Sequence, residues 1–221
     1  MNSQLLFEIG LFIFAYLFGS IPFSVLLGTK IKGVDVREHG SGNPGGTNSI
    51  RWLGKKVGLT IVFLDGLKGG LIILLVRFGV IELSYLPILA FGVIGALGHV
   101  FPIFLKFKGG KAVAATGGLL VGYNPIWAVI SIITFFIVIK ISKYVSVGST
   151  SIPIVVLLLS LGFYITNTNV FPHVLDMSYW IREFPFFILL LFLIVIRHKS
   201  NYNNIKNGVE PKVKWAIKKA E

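Results

Sequence analysis

Four short stretches hold most of the residues in this chain that can do chemistry: "SGNPGGTNSIR" (41–51), "GHVFPIFLKFKGGKAVAAT" (98–116), "KYVSVGSTS" (143–151) and "RHKSN" (197–201). Each mixes glycine, hydroxyl, amide or basic side chains. Glycine permits positive φ and close approach, so consecutive backbone N–H groups can converge on an anion, above all just before a helix. Gly109 and Gly110 precede an apolar run, and Lys111 adds a full positive charge to a helix N-terminus. The chemistry this predicts is phosphate binding. Arg51 is the second cation of the set, able to grip phosphate through two parallel N–H donors. Each feature also has a plainer reading: a glycine pair makes turns, a serine caps helices, and a basic residue anchors a membrane interface.

His99 follows Gly98, and His198 follows Arg197, each at the end of an apolar run. Three residues separate His198 from Asn201, so on a helix the two share a face. With no His/carboxylate cluster beside them, a metal site is not expected. Asp65 and Lys68 lie inside an apolar run at i, i+3, a spacing that lets an otherwise costly pair of charges neutralise itself in the bundle interior. Such a pair either holds helices together or borders a substrate path.

The elements that must position these residues are apolar helices. Mean hydropathy is +0.82, with 54% hydrophobic and 14% charged residues, which places the chain among integral membrane proteins. With about twenty residues needed to cross the hydrocarbon core, the candidate helices are 4–28, 57–76, 86–105, 112–122, 125–141, 151–168 and 183–197. The fold class expected is an all-α integral membrane protein of about seven transmembrane helices, forming a single polytopic domain over residues 1–221. The first run lacks a basic leader and a small-x-small cleavage site and is read as a retained span. The fourth is short enough to be a half-crossing.

Of the 21 Lys and Arg, 18 fall in segments 29–56, 106–111 and 140–143 and the tail from 197. The positive-inside rule then predicts an N-out, C-in orientation with the glycine-rich loops on the cytoplasmic face. The formal charge of +12 therefore reflects topology and does not call for a nucleic-acid partner. Residues 210–221 form a basic tail suited to anionic headgroups. With no cysteine there is no disulfide, thiolate zinc site or thiol nucleophile.

The segments "GSIPFSVLLGTKIKGVDVREHGSGNPGGTNSIR", "FLDGLKGG", "GHVFPIFLKFKGGKAVAAT", "KYVSVGSTS" and "RHKSNYNNIKNGVE" resemble the acyl-phosphate:glycerol-3-phosphate acyltransferases, the PlsY family of bacterial phospholipid synthesis, over residues 19–210. The resemblance implies a multi-pass enzyme of the bacterial cytoplasmic (inner) membrane with its active site facing the cytoplasm. It implies transfer of a fatty acyl group from acyl phosphate to the sn-1 hydroxyl of glycerol 3-phosphate, giving lysophosphatidic acid and phosphate, with no cofactor. The soluble enzyme that makes acyl phosphate is an implied partner. Carried over residue by residue, it implies catalytic roles for Ser41, Arg51, His198 and Asn201. It implies substrate binding by His99, Gly109, Gly110, Lys111, Ser146 and Ser149 and a structural role for Glu210, while Asn43, Thr47 and Asn48 are read as substrate-binding and Asp65 and Lys68 as structural from the residues themselves. Three places depart from the family pattern: Gly46 stands for the usual alanine, Ala112 for a third glycine, and Tyr202-Asn203-Asn204 for Ile-x-Arg.

Acyl phosphate is an activated anhydride with phosphate as its leaving group, so positioning and oxyanion stabilisation by donors such as Ser41, Asn43 and Asn48 carry most of the catalysis expected. The base is either His198 or the substrate's own phosphate. Acyltransferases that use thioester donors carry His-x-x-x-x-Asp. Here the residues five after His39, His99, His173 and His198 are Pro44, Phe104, Ser178 and Asn203. A transporter or flippase for a phosphorylated solute is the alternative, and it predicts internal repeats and midplane polar groups. No repeat is visible, and the motifs gather at one face.

Overall fold

The computed structural model describes residues 2–166 and 177–213, with side chains for 2–162 and 181–213. The end of the predicted 151–168 run, His173, and residues 214–221 of the predicted basic tail lie outside the described residues. All regular structure among the described residues is helical, in two compact units, Met1–Tyr123 and Asn124–Glu221.

The first unit opens with α1 (Ser3–Gly19) and α2 (Phe23–Lys32). The sequence reads 4–28 as one run; the structure breaks it at residues 20–22 and bends it by 41°. Pro22 has no N–H to continue the ladder and disfavours helical geometry at Ile21. A short 3-10 turn (Val36–Glu38) and α3 (Gly46–Leu53) follow, then α4 (Lys55–Arg77), α5 (Ile88–Val100), a second 3-10 turn (Ile103–Leu105) and α6 (Val113–Tyr123). The predicted 86–105 helix thus ends at Val100, where Phe101-Pro102 interrupts it. Parallel helices α4 and α6 approach so closely that a Cβ on Gly69 would collide with the Ala115 carbonyl, and one on Gly118 with that of Gly66. Small residues replace side-chain interdigitation here, the usual way for helices to pack in lipid.

At the start of α1, Glu8 is fully buried. Its carboxylate accepts N–H bonds from Ser84 at 2.6 Å, Leu86 at 2.8 Å and Tyr85 at 3.2 Å. One side chain thereby satisfies the backbone donors of the segment leading into α5.

The second unit contains α7 (Pro125–Ser142), α8 (Val145–Thr166), α9 (Met177–Arg197) and α10 (Lys199–Lys206). Asn124 caps α7, its Oδ1 accepting from Ile126 and Trp127 N–H at 3.1 and 3.2 Å, with Pro125 at the first helical position.

Among the described residues four helices are long and apolar enough to cross a membrane, or five if α1 and α2 count as one bent span. Ile132, Ile133, Phe136 and Ile137 of α7 are exposed. An apolar face of that kind is stable against lipid and not against water. Helix α6, with 11 residues, rises only about 16 Å against the roughly 30 Å of hydrocarbon, in keeping with the short fourth run read from the sequence.

Candidate active site

Residues 36–54 form a compact loop-and-helix around Asn48. That side chain is buried, and its Nδ2 donates to the carbonyls of Val36 at 2.8 Å and His39 at 3.0 Å while its Oδ1 accepts from Ser41 N–H at 3.3 Å. All three amide contacts go to the loop itself, so Asn48 acts as the clamp that shapes it. Gly40 takes φ 59° and lies so close to Asn48 and the Trp52 indole that a Cβ there would strike both. From beneath, the Ser24 hydroxyl donates to the Pro44 carbonyl at 3.0 Å. The sequence carried no specific signal for Ser24, since a serine in an apolar helix start is ordinary.

Held this way, Ser41, Thr47 and Arg51 are exposed and Asn43 partly so. Thr47 and Arg51 stand one turn apart on α3. The two arginines of the segment differ in what they do. Arg37 is engaged by Asp35, with Nη2 to Oδ2 at 2.6 Å and Nε to Oδ1 at 3.0 Å, and these bonds hold the Asp35 carboxyl below its ordinary range. Arg51 has no acidic partner among the described residues. Its side chain is exposed.

A second cluster lies where α4, α5 and the 101–112 loop meet. Asp65 and Lys68 form the ion pair their spacing predicts, Oδ1 to Nζ at 2.8 Å, both buried. His99 joins them: its Nδ1 is 3.5 Å from Asp65 Oδ1 and 3.4 Å from Lys68 Nζ. The Lys68 ammonium also lies 5.0 Å from the centre of the Phe23 ring, a cation–π contact. Among the described residues Asp65 Oδ2 is buried with no hydrogen-bond partner, an arrangement that is costly for a polar atom. A cleft lined by Ser20, Pro44, Lys68, His99, Gly109 and Gly110 opens beside this cluster.

The glycine pair has a different geometry from the phosphate nest the sequence suggested. Gly109 N–H donates to the Val100 carbonyl at 3.1 Å and Gly110 N–H to the His99 carbonyl at 3.0 Å. The chain doubles back on the last turn of α5, and both amides close that turn. What the glycines supply is space: a Cβ on Gly110 would collide with His99 Nε2, and one on Gly109 with the His99 carbonyl. Ala112, where a third glycine was the family expectation, takes φ 62° and turns the chain into α6. Lys111 sits between, partly buried.

In the second unit His198 follows Arg197, the last residue of α9, and stands at the N-cap position of α10 without a side-chain capping bond. It is 3% exposed, and its Nδ1 lies 2.8 Å from the Ile194 carbonyl. A carbonyl only accepts, so Nδ1 carries the proton and Nε2 is the basic nitrogen. Asn201, one turn on, donates from Nδ2 to Glu210 Oε1 at 2.7 Å. The same carboxylate accepts from Ser146 Oγ at 3.2 Å and, through Oε2, from Asn204 Nδ2 at 3.4 Å. Glu210 thus ties the start of α8 to α10. Ser146 belongs to this tie by its hydroxyl. The Tyr202 hydroxyl donates to Thr150 Oγ1 at 2.6 Å, so the tyrosine that departs from the family pattern reinforces the same junction. Ser149 Oγ donates back to the Val145 carbonyl at 2.9 Å, and its proton reaches a ligand only by rotation about χ1.

The geometry therefore groups the expected residues into an exposed Ser41–Arg51 loop, a buried Asp65–Lys68–His99 cluster under the 109–111 loop, and a His198–Asn201–Glu210–Ser146 network. The family model described as glycerol-3-phosphate acyltransferase matches residues 9–208. The glycerol-3-phosphate acyltransferase of Bacillus subtilis is 42% identical over 205 residues, 93% of this chain and 97% of the relative. That of Geobacillus kaustophilus is 39% identical over 206 residues, 93% and 96%. Two solved structures of PlsY (YgiH), an integral membrane glycerol 3-phosphate acyltransferase, superpose at 34% identity. The glycerol 3-phosphate form gives a TM-score of 0.77 over 96% of both chains. The lysophosphatidic acid form gives 0.75 over 96% of this chain and 95% of that one. Sequence motifs, helical membrane fold and near full-length likeness converge on one assignment: the chain is an integral membrane enzyme belonging to the glycerol-3-phosphate acyltransferase family.

Proposed function

We propose that this protein transfers a fatty acyl group from acyl phosphate to the sn-1 hydroxyl of glycerol 3-phosphate, producing lysophosphatidic acid and inorganic phosphate. The observation that carries the reading is the likeness, over 96% of both chains, to a structure of the glycerol 3-phosphate form of PlsY. In the reaction the hydroxyl oxygen attacks the acyl carbonyl carbon. An ester C–O bond forms, the carbonyl carbon's bond to the bridging oxygen breaks, and phosphate departs with the bond's electron pair. The hydroxyl proton passes to His198 Nε2, a role supported by the Nδ1–H bond to Ile194 that leaves Nε2 basic.

Arg51 and Lys111 bind phosphoryl groups, with Asn43 and Thr47 as neutral donors, and Ser149 is a further neutral donor in the second unit. Ser41 stabilises the carbonyl oxygen as it becomes anionic, and Asn201, oriented by Glu210, fixes the acceptor. Asn48, Gly109, Gly110 and Ser146 serve binding indirectly, through the loop and helix contacts described above. The Ser41–Arg51 loop and the His198–Asn201 motif act in the same catalytic cycle, and the chain works as one polytopic domain. About seven crossings, N-out and C-in, place the basic loops at the cytoplasmic face of the bacterial inner membrane. There an acyl chain arrives from the bilayer and a small dianion from the cytosol, and a soluble enzyme can deliver acyl phosphate.

The test is donor preference in purified protein. Palmitoyl phosphate with glycerol 3-phosphate should yield lysophosphatidic acid. Equal or faster product formation from palmitoyl-CoA or acyl carrier protein would overturn the donor assignment.

A further inference from the structure

The Asp65–Lys68 pair was expected to be structural, yet its geometry does more than hold two turns of one helix. Both charges converge on a single nitrogen, Nδ1 of His99, at 3.5 and 3.4 Å. The opposite nitrogen, Nε2, fills the space a Gly110 side chain would occupy. The His99 carbonyl meanwhile accepts the Gly110 N–H at 3.0 Å. One residue therefore fixes Gly110 twice, by its main chain and by its ring, and the ring is itself fixed by Asp65 and Lys68. Lys111 is the next residue along.

We propose that Asp65 and Lys68 are positioning residues for glycerol 3-phosphate: by locking the His99 ring against Gly110 they set the reach of Lys111 toward the phosphate. The inference rests on the reading that Lys111 binds that phosphate. A buried ion pair is not needed to keep α4 in place, since α4 already packs on α6 through glycine contacts and apolar replacement of such pairs is commonly tolerated. It is needed if a ring must be held at a fixed angle over a backbone with no side chain of its own. A loop held in this way loses little freedom on binding, so the effect appears in affinity for the small dianion and not in the chemical step.

Two experiments test the proposal on full-length protein in detergent or lipid. The first is the double variant D65N/K68M, which removes both charges together and leaves neither buried without its counter-charge. The expected result is a KM for glycerol 3-phosphate at least tenfold higher, with KM for acyl phosphate and kcat within twofold of wild type. Unchanged KM for glycerol 3-phosphate in the folded variant, or a fall in kcat alone, overturns the proposal.

The second is a cycle between G110A and H99A, which decides the matter even if the double variant does not fold. G110A should raise KM for glycerol 3-phosphate at least tenfold in the wild-type background and less than twofold where His99→Ala has removed the ring. Additive effects would show that the glycine acts independently of His99 and would refute the lock. Wild-type protein that fails to acylate glycerol 3-phosphate would instead refute the function proposed above. The two failures are therefore distinct.

Discussion

At the scale of single residues, the assignment turns on which polar groups are committed to the fold and which are presented to a ligand. Asn48 and Glu210 are committed by two or more hydrogen bonds each, while Arg51 is exposed and not engaged by a carboxylate among the described residues. Arg51→Ala should therefore leave the helices intact and cut kcat/KM by about 100-fold, roughly 3 kcal/mol of lost transition-state binding. Arg51→Lys should recover only part, because an ammonium cannot make the paired N–H contacts of a guanidinium. Steady-state kinetics with circular dichroism as the folding control measures both, and wild-type kcat/KM in Arg51→Ala would remove it from the site. His198→Ala separates base from bystander. Loss of the base should lower kcat by 100-fold or more with KM changed little. An effect on KM alone would make His198 a binding residue and move the proton to the substrate's phosphate. Much of this was legible in the sequence: the arginine, the histidine–asparagine spacing and the buried Asp65–Lys68 pair stood out as polar residues in an apolar chain. The use of Gly109 and Gly110 was not, because a glycine pair before a helix reads the same whether its amides face a ligand or, as here, the carbonyls of the preceding helix.

Among the helices, the apolar runs announced the long helices and missed the breaks. The interruption at residues 20–22 depends on one proline, and hydropathy averages over it; the end of α5 at Val100 likewise hides inside an apolar run continuing to Leu105. Helices α3 and α10, eight residues each, are too polar and too short to register as hydrophobic segments, though they carry Arg51 and Asn201. Short helices are marginal alone and need tertiary anchors. For α10 that anchor is Glu210. Glu210→Gln should weaken the bonds to Ser146, Asn201 and Asn204 and destabilise the α8–α10 junction by about 1–3 kcal/mol. The expected signs are a lower melting temperature and faster amide exchange in α10; unchanged exchange there would show that the junction is held by something else.

For the molecule as a whole, composition and charge distribution suffice for membrane residence, and the comparisons supply the family. Orientation is a separate prediction with a clean test. Because the chain has no cysteine, single cysteines introduced at Lys30 and at Asn207 should react with a membrane-impermeant maleimide only from the cytoplasmic side, and one at Val80 only from the outside. Labelling of all three from one side would contradict the N-out, C-in topology.

The most direct test of the central claim uses purified protein given palmitoyl phosphate with and without glycerol 3-phosphate, following phosphate and lysophosphatidic acid together. The account predicts one phosphate released for each lysophosphatidic acid formed, and almost none when glycerol 3-phosphate is withheld. Phosphate release that proceeds equally without glycerol 3-phosphate, or no release at all, would contradict it.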